Sequence, residues 1–369
     1  MATTHGFRVY VVQAFKNRIK DQEPEDASCK SSTSETILAL LESLHHLESH
    51  HLEPRASVEG LPPKPTRTVT VGEPHLIRDD LWHVVVSVGE LGSHRRATRP
   101  DKKPRDLKKW SAEAEHHVTF LFPKSGKEFL VVAHTIRRRD PVPELFSLLT
   151  QSGVQQKKSA KAAEDAAREL ARTEGISPPN RVPHSRLLFS RRQAVDNSYI
   201  DEIIGSAKSA TAVFRSTVPS DRGGKRPQVR RSLQIQLRDE NEKEIGRSVG
   251  KRWFHRAKAG NSSTAAQGVS ELAGLLETEN LFHIDEVARY NTASVAVMSD
   301  SGASTTIAVD TLRDVFTYPV SEGEPSLRFY YDKVAPRVRV VAAEERVDVK
   351  AISPVEVEEC LDASIPVPS

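Results

Sequence analysis

Hydrophobic and polar positions alternate at the start of the chain. Phe7, Val9 and Val11 are separated by Arg8 and Tyr10, the period-two pattern of a strand over 7–12. After a polar stretch, Ile37, Leu40, Leu41, Leu44 and Leu47 recur at helical spacing, which predicts a helix over about 34–48. Pro54 and the Pro62, Pro63, Pro65 cluster end it in a loop. Strands are predicted at Arg67–Val71 and Leu81–Val88. The clearest hairpin runs from His117–Phe122 through a Pro123–Lys127 turn into Glu128–Ala133. A short helix over Pro143–Leu149 is expected to stop at Gly153, and an exposed Ala/Lys/Glu/Arg-rich helix to follow over Gln155–Arg172. Pro178, Pro179 and Pro183 then suggest a spacer.

Beyond the spacer, Asp196 is placed to cap a helix reaching about Gly205. Strands are expected at Ala210–Val218 and Ser232–Arg238, a helix at Ala265–Leu276, and a hairpin from Val295–Met298 and Thr305–Val309. The final strands are expected at Arg328–Tyr331 and Val338–Val341, with a loose acidic tail after them. Strands and helices in irregular order argue for α+β: two domains with mixed or antiparallel sheets and flanking helices, joined by a hinge. The expected organisation is an N-terminal domain over 1–154, a helical and Pro-rich linker over 155–185, a second domain over 186–345 and a tail over 346–369.

Composition narrows the function classes. The chain has 369 residues, enough for two domains at roughly 100–200 residues each. No apolar run approaches the roughly 18–20 residues that cross a bilayer, and the first residues lack a secretory leader, so a cytoplasmic protein without membrane insertion is expected. Cys29 and Cys360 are too few for a disulfide framework or a thiolate metal site. His46 and His50 are four apart, but two imidazoles on a polar helix face lack further ligands, so no metal is expected. Neither Gly-x-x-x-x-Gly-Lys-Ser/Thr nor Gly-x-Gly-x-x-Gly occurs. The turn at Ser299–Gly302 lacks the nucleophile elbow. No cofactor and no catalysis are expected.

Charge changes the picture more. Net charge is only +3, yet bases crowd into segments. A basic loop spans about 92–110 with Arg95, Arg96, Arg99, Lys102, Lys103, Arg105, Lys108 and Lys109, and its two prolines and scarce apolar side chains predict mobility. Arg137, Arg138 and Arg139 close the hairpin. Arg222, Lys225, Arg226, Arg230 and Arg231 load a loop and the strand after it, where alternation would send Arg230 and Arg231 to opposite faces. Around Trp253 and Phe254, Lys251, Arg252 and Arg256 interleave bases with aromatic rings. Phosphate backbones are held by many such contacts, each releasing counterions, so these residues are the candidate nucleic-acid contacts. The alternative is a regulatory or scaffolding protein whose basic loops bind RNA or an acidic protein. A helix-turn-helix with a basic recognition helix is not found, which argues against a sequence-specific repressor.

The order of features resembles the RexA-like exclusion proteins of temperate phages. The resemblance is carried by Gly6-Phe7-x-x-Tyr10, by Leu41-x-x-Leu44-His45-His46-Leu47, and by Thr119–Phe122 through His134-Thr135-Ile136. The strand Leu233–Arg238 with its acidic turn adds to it. It implies an α+β protein whose second domain swivels, dimeric, binding double-stranded DNA without strong sequence preference. It also implies abortive exclusion of a superinfecting phage together with a membrane-protein partner encoded alongside. No catalytic residue is implied.

Overall fold

The computed structural model describes residues 4–45, 49–52, 66–91, 96–99, 102–106, 111–137, 139–174, 176–177, 180, 184–194, 196, 199, 209–218, 228–237, 248, 265–278, 289–298, 304–308 and 317–362. Over these residues the chain is α+β. Its helices are α1 (Ser32–His45), α2 (Val142–Thr173), α3 (Ala265–Thr278), α4 (Leu327–Glu345) and α5 (Pro354–Asp362). The described residues fall into two compact units: one runs to Ala194 and resumes at Thr317, and the other lies between them in the chain.

The first unit is built on a nine-stranded sheet. Its order is β10 (Leu187–Ala194), β1 (Thr4–Lys16), β9 (Glu128–Ile136), β8 (Ser111–Leu121), β5 (Leu81–Leu91), β3 (Arg67–Val71) and β2 (His50–Leu52). β15 (Tyr318–Glu322) also pairs with β1, and β4 (His75–Arg78) with β5. The strand pairs are antiparallel, so each strand sends alternate residues to opposite faces. On one face Val12, Val69, Val84, Val118, Phe120, Phe122 and Phe129 meet Ile37, Leu40, Leu41 and Leu44 of α1 and Leu145, Phe146 and Leu149 of α2. The helical spacing of those leucines creates the α1 stripe, and the Ser31 hydroxyl accepts from the Ser34 N–H at 3.2 Å to start the helix. Each such side chain contributes roughly 1.5–3 kcal/mol when fully buried.

β1 accounts for how the chain is divided between the two units. Its residues Val9 to Lys16 pair with β10, and Thr4 to Phe7 pair with β15 on the same edge. The chain leaves this edge where Ala194 faces Val9 and returns where Tyr318 faces Phe7. Gly6 makes the junction feasible, because a Cβ there would stand 2.5 Å from the Tyr318 carbonyl oxygen. The strand Leu187–Ala194, expected to open the second domain at 186, therefore belongs to the first sheet, and so does the chain from Thr317 onward.

Four further expectations are corrected. Gly153 does not stop a helix: α2 runs through it. The two strands expected at 328–331 and 338–341 are one helix, α4. Its buried residues Tyr330, Tyr331, Val334, Val338, Val341 and Ala342 have helical spacing, and the Ser326 hydroxyl caps it by accepting from the Phe329 N–H. The tail is not loose as far as Asp362, since α5 buries Val357 and Glu356 pairs with Arg78 of β4 at 2.9 Å. Finally, α1 ends at His45 and His50 lies on β2 and not on the helix expected to reach 48, while His46 lies outside the described residues.

The second unit has a four-stranded sheet in the order β12 (Gln228–Leu237), β11 (Ser209–Val218), β13 (Thr292–Met298) and β14 (Ser304–Ala308). Ala212, Val213, Phe214, Ala293 and Val295 are buried there, as are Val269, Leu272 and Ala273 of α3. Asp196 accepts from the Tyr199 N–H at 3.1 Å, as a helix cap does, and the rest of that expected helix lies outside the described residues.

Candidate functional site

Between β5 and β8 the expected basic loop contains a second, two-stranded ribbon, β6 (Arg96–Arg99) paired with β7 (Lys102–Asp106). Its strand positions hold Arg96, Arg99, Lys102, Lys103 and Arg105 against one acid, Asp106. The register opposes Arg96 to Asp106 but Arg99 to Lys102.

Arg137 and Arg139 lie at the end of the sheet from which the chain departs toward the ribbon. The turn after β9 closes through mutual backbone hydrogen bonds between Ile136 and Arg139, at 2.9 and 3.0 Å. Arg137 sits in the left-handed region at φ 51° and its N–H donates to the Thr4 carbonyl. Arg139 is 81% exposed, and its guanidinium stands 3.8 Å from Glu90, one residue before β5 ends. An exposed ion pair at that separation contributes about 0–1 kcal/mol, so a phosphate can displace it.

The remaining expected contacts are not brought into this site. Arg138, Arg222, Lys225, Arg226, Lys251, Arg252 and Arg256 lie outside the described residues. Arg230 and Arg231 are on β12, where the register jumps from Ser216–Arg231 to Thr217–Val229. A β-bulge therefore falls within this stretch of the β11–β12 ladder.

The opposite face of the first sheet holds an arrangement that the sequence reading missed. His75 of β4, His83 of β5, His117 of β8, His134 of β9 and His5 of β1 form a row across five adjacent strands. Successive ring centroids are 6.4, 5.3, 5.7 and 5.1 Å apart. His83 Nε2 lies 3.1 Å from His117 Nδ1, and His5 Nδ1 lies 3.0 Å from His134 Nε2. α4 covers the row: the Tyr330 ring packs edge-on against His134 and the Tyr331 hydroxyl bonds the Thr119 hydroxyl at 2.6 Å. His116 points to the other face and donates from Nδ1 to the His134 carbonyl at 3.0 Å.

Burial dominates the electrostatics of this row. It pushes His83 well below the usual histidine value, with His117 and His75 adding repulsion. It lowers His117 to about 4, assisted by His116, and His134 to about 3, assisted by His117, His116 and His5. His5 and His116 are also lowered by burial, partly offset by Glu324 at His5 and by the His134 carbonyl and Asp140 at His116. Burial likewise raises the Tyr330 and Tyr331 phenols. His117 and His134 are therefore neutral at pH 7. The nitrogens of the row form a line and do not converge: among the described residues no three His, Cys, Asp or Glu side chains are arranged to hold a metal ion.

Apart from His117, which follows His116 on β8, each histidine of the row is the only one on its strand, and only its position in an apolar run marks it, as His134 does after Val131-Val132-Ala133. No known protein family, characterised protein or solved structure matches this chain. Among the described residues no helix is long and apolar enough to cross a membrane.

Proposed function

We propose that the protein is a non-catalytic, sequence-nonspecific binder of duplex DNA that holds phosphates with the β6–β7 ribbon and the adjoining Arg137–Arg139 turn. The observation that carries this reading is a two-stranded ribbon with five bases and one acid, whose register opposes Arg99 to Lys102. A two-stranded ribbon is one of the elements that a B-DNA groove admits, and clustered bases supply the contacts that phosphates take. The weak Arg139–Glu90 pair leaves a further cation beside the ribbon's origin. The basic cluster at Arg222–Arg231 and the one around Trp253 extend the proposed contacts to the second unit.

The resemblance to RexA-like proteins supplies the setting: a cytoplasmic homodimer that excludes a superinfecting phage with a membrane-protein partner. Swivelling of a second domain about a hinge belongs to the same proposal, with DNA shifting the equilibrium between two arrangements.

The test is competition among random-sequence duplex DNA, single-stranded DNA and RNA. Duplex DNA should compete best and without dependence on sequence. The double variant Arg99→Glu, Lys102→Glu should lose about tenfold or more in affinity on every duplex alike, because phosphate contacts carry no sequence information. Preferential competition by RNA would transfer the ribbon to an RNA-binding role. Unchanged affinity in both this variant and Arg137→Glu, Arg139→Glu would remove the ribbon and the turn from the interface.

A further inference from the structure

The histidine row has no part in the DNA-binding reading, and its hydrogen bonding points to a separate role. His83 Nδ1 and His134 Nδ1 are buried and have no partner. A bare buried lone pair is tolerated better than an orphaned N–H, which assigns the tautomers: His83 Nε2–H donates to His117 Nδ1, and His134 Nε2–H donates to His5 Nδ1. Within these two pairs, every nitrogen still able to take a proton falls into one of two kinds. His117 Nδ1 and His5 Nδ1 are the acceptors of the pairs, and a proton on either sets two N–H groups against each other. His83 Nδ1 and His134 Nδ1 are buried, and a proton on either makes a buried cation, with only the Glu115 carbonyl acting in its favour at His134.

The surroundings supply little to compensate a charge. From α4 the groups facing the row are the phenols Tyr330 and Tyr331, and the Tyr330 hydroxyl itself has no partner. From the connection before α4, exposed Glu324 acts on His5 and His117. From β8 the Glu115 carbonyl partly offsets the lowering at His134. From β4 comes His75, itself a base. Across the sheet stand His116 and, acting on it, Asp140.

We propose that this row is a proton-operated latch for α4: proton uptake as the pH falls undocks the helix from the sheet, while the α1/α2 face stays packed. The docked state binds fewer protons than the undocked one, so docking is at full strength above about pH 6.5 and weakens as the pH falls below it. His117 and His134 alone should make the undocked population rise about a hundredfold per pH unit between roughly 6 and 4, tenfold for each proton taken up. Because α4 and α5 carry the chain after its return at Thr317, release frees the C-terminal part of the first unit.

Hydrogen exchange of the full-length protein between pH 7.5 and 5, corrected for intrinsic rates, tests the latch. The expected result is that amides of 327–345 lose protection steeply while those of α1 and α2 keep theirs. Protection of α4 unchanged to pH 5, or lost only together with α1, overturns the proposal. The double variant His117→Gln, His134→Gln should flatten the dependence by about a hundredfold per pH unit. If it does not fold, His83→Gln should flatten it about tenfold. Tyr331→Phe keeps every titrating group and should weaken docking with the wild-type slope. A histidine variant with the wild-type slope would contradict titration as the cause.

Discussion

The two faces of the first unit's sheet are made by the same strands and solve different problems. Toward α1 and α2, β5, β8 and β9 send Trp82, Val84, Val118, Phe120, Val131 and Ala133, a set that is almost wholly apolar. Toward α4 the intervening positions send His83, His117, Thr119 and His134 among the buried Leu81, Leu121, Leu130 and Val132, with Tyr330 and Tyr331 packed against the histidines. The period-two geometry of a strand allows one segment to carry a permanent core on one side and a conditional contact on the other. Packing of hydrocarbon does not depend on pH, whereas packing over neutral imidazoles holds only while they stay neutral.

The largest effects should fall on the apolar face. Phe120→Ala is expected to lower stability by about 3–5 kcal/mol in denaturant titration, equally at pH 7 and pH 5. A loss of comparable size is expected at the end of that face, where Asp140 has a side chain only 2% exposed. It pairs with Arg8 at 2.5 Å and accepts from the Tyr10 hydroxyl and from the Val142 N–H at the start of α2. Asp140→Ala removes the carboxylate from this buried ion pair and should lower stability by about 3–5 kcal/mol.

The α4 face should instead reveal itself through pH. With native values of about 4 and 3 against an unfolded value near 6.5, His117 and His134 bind fewer protons when folded. Stability from these groups is complete above about pH 6.5 and declines as the pH falls, levelling off near the native values. Between pH 7 and 5 the decline should be about 2 kcal/mol for each, read from denaturation midpoints across a pH series. Smaller effects sharpen the contrast further. Tyr331→Phe removes the Thr119 bond and should lower stability by about 1 kcal/mol at pH 7. Tyr330→Phe removes a buried hydroxyl that has no partner, so it should leave stability unchanged or raise it slightly.

The legibility of the fold followed the range of the interactions involved. The α1 stripe, the β8–β9 hairpin and the strands β11 and β12 rest on local periodicity or local turns, and they stand where the pattern put them. α4 was misread because Val338, Val340 and Val341 form a β-branched run after Pro336, although the buried positions keep helical spacing. The organisation of the units was illegible because it depends on β1 pairing with β10 and β15, partners distant in sequence that no local pattern announces. The basic segment was recognised by its charge, but its β6–β7 pairing was hidden by Pro100 and Pro104, which read as loop. The histidine row escaped because it exists only across strands: residues as far apart in sequence as His5 and His134 become neighbours through register.

The most direct test of the account is the salt dependence of duplex DNA binding, wild type beside a variant with Arg96, Arg99, Lys102, Lys103 and Arg105 changed to Gln. The account predicts micromolar or tighter wild-type binding that weakens steeply with salt. It also predicts a log–log slope in the variant that is shallower by about 1 for each phosphate contact removed. No binding at low salt, or the same slope in both proteins, would contradict it.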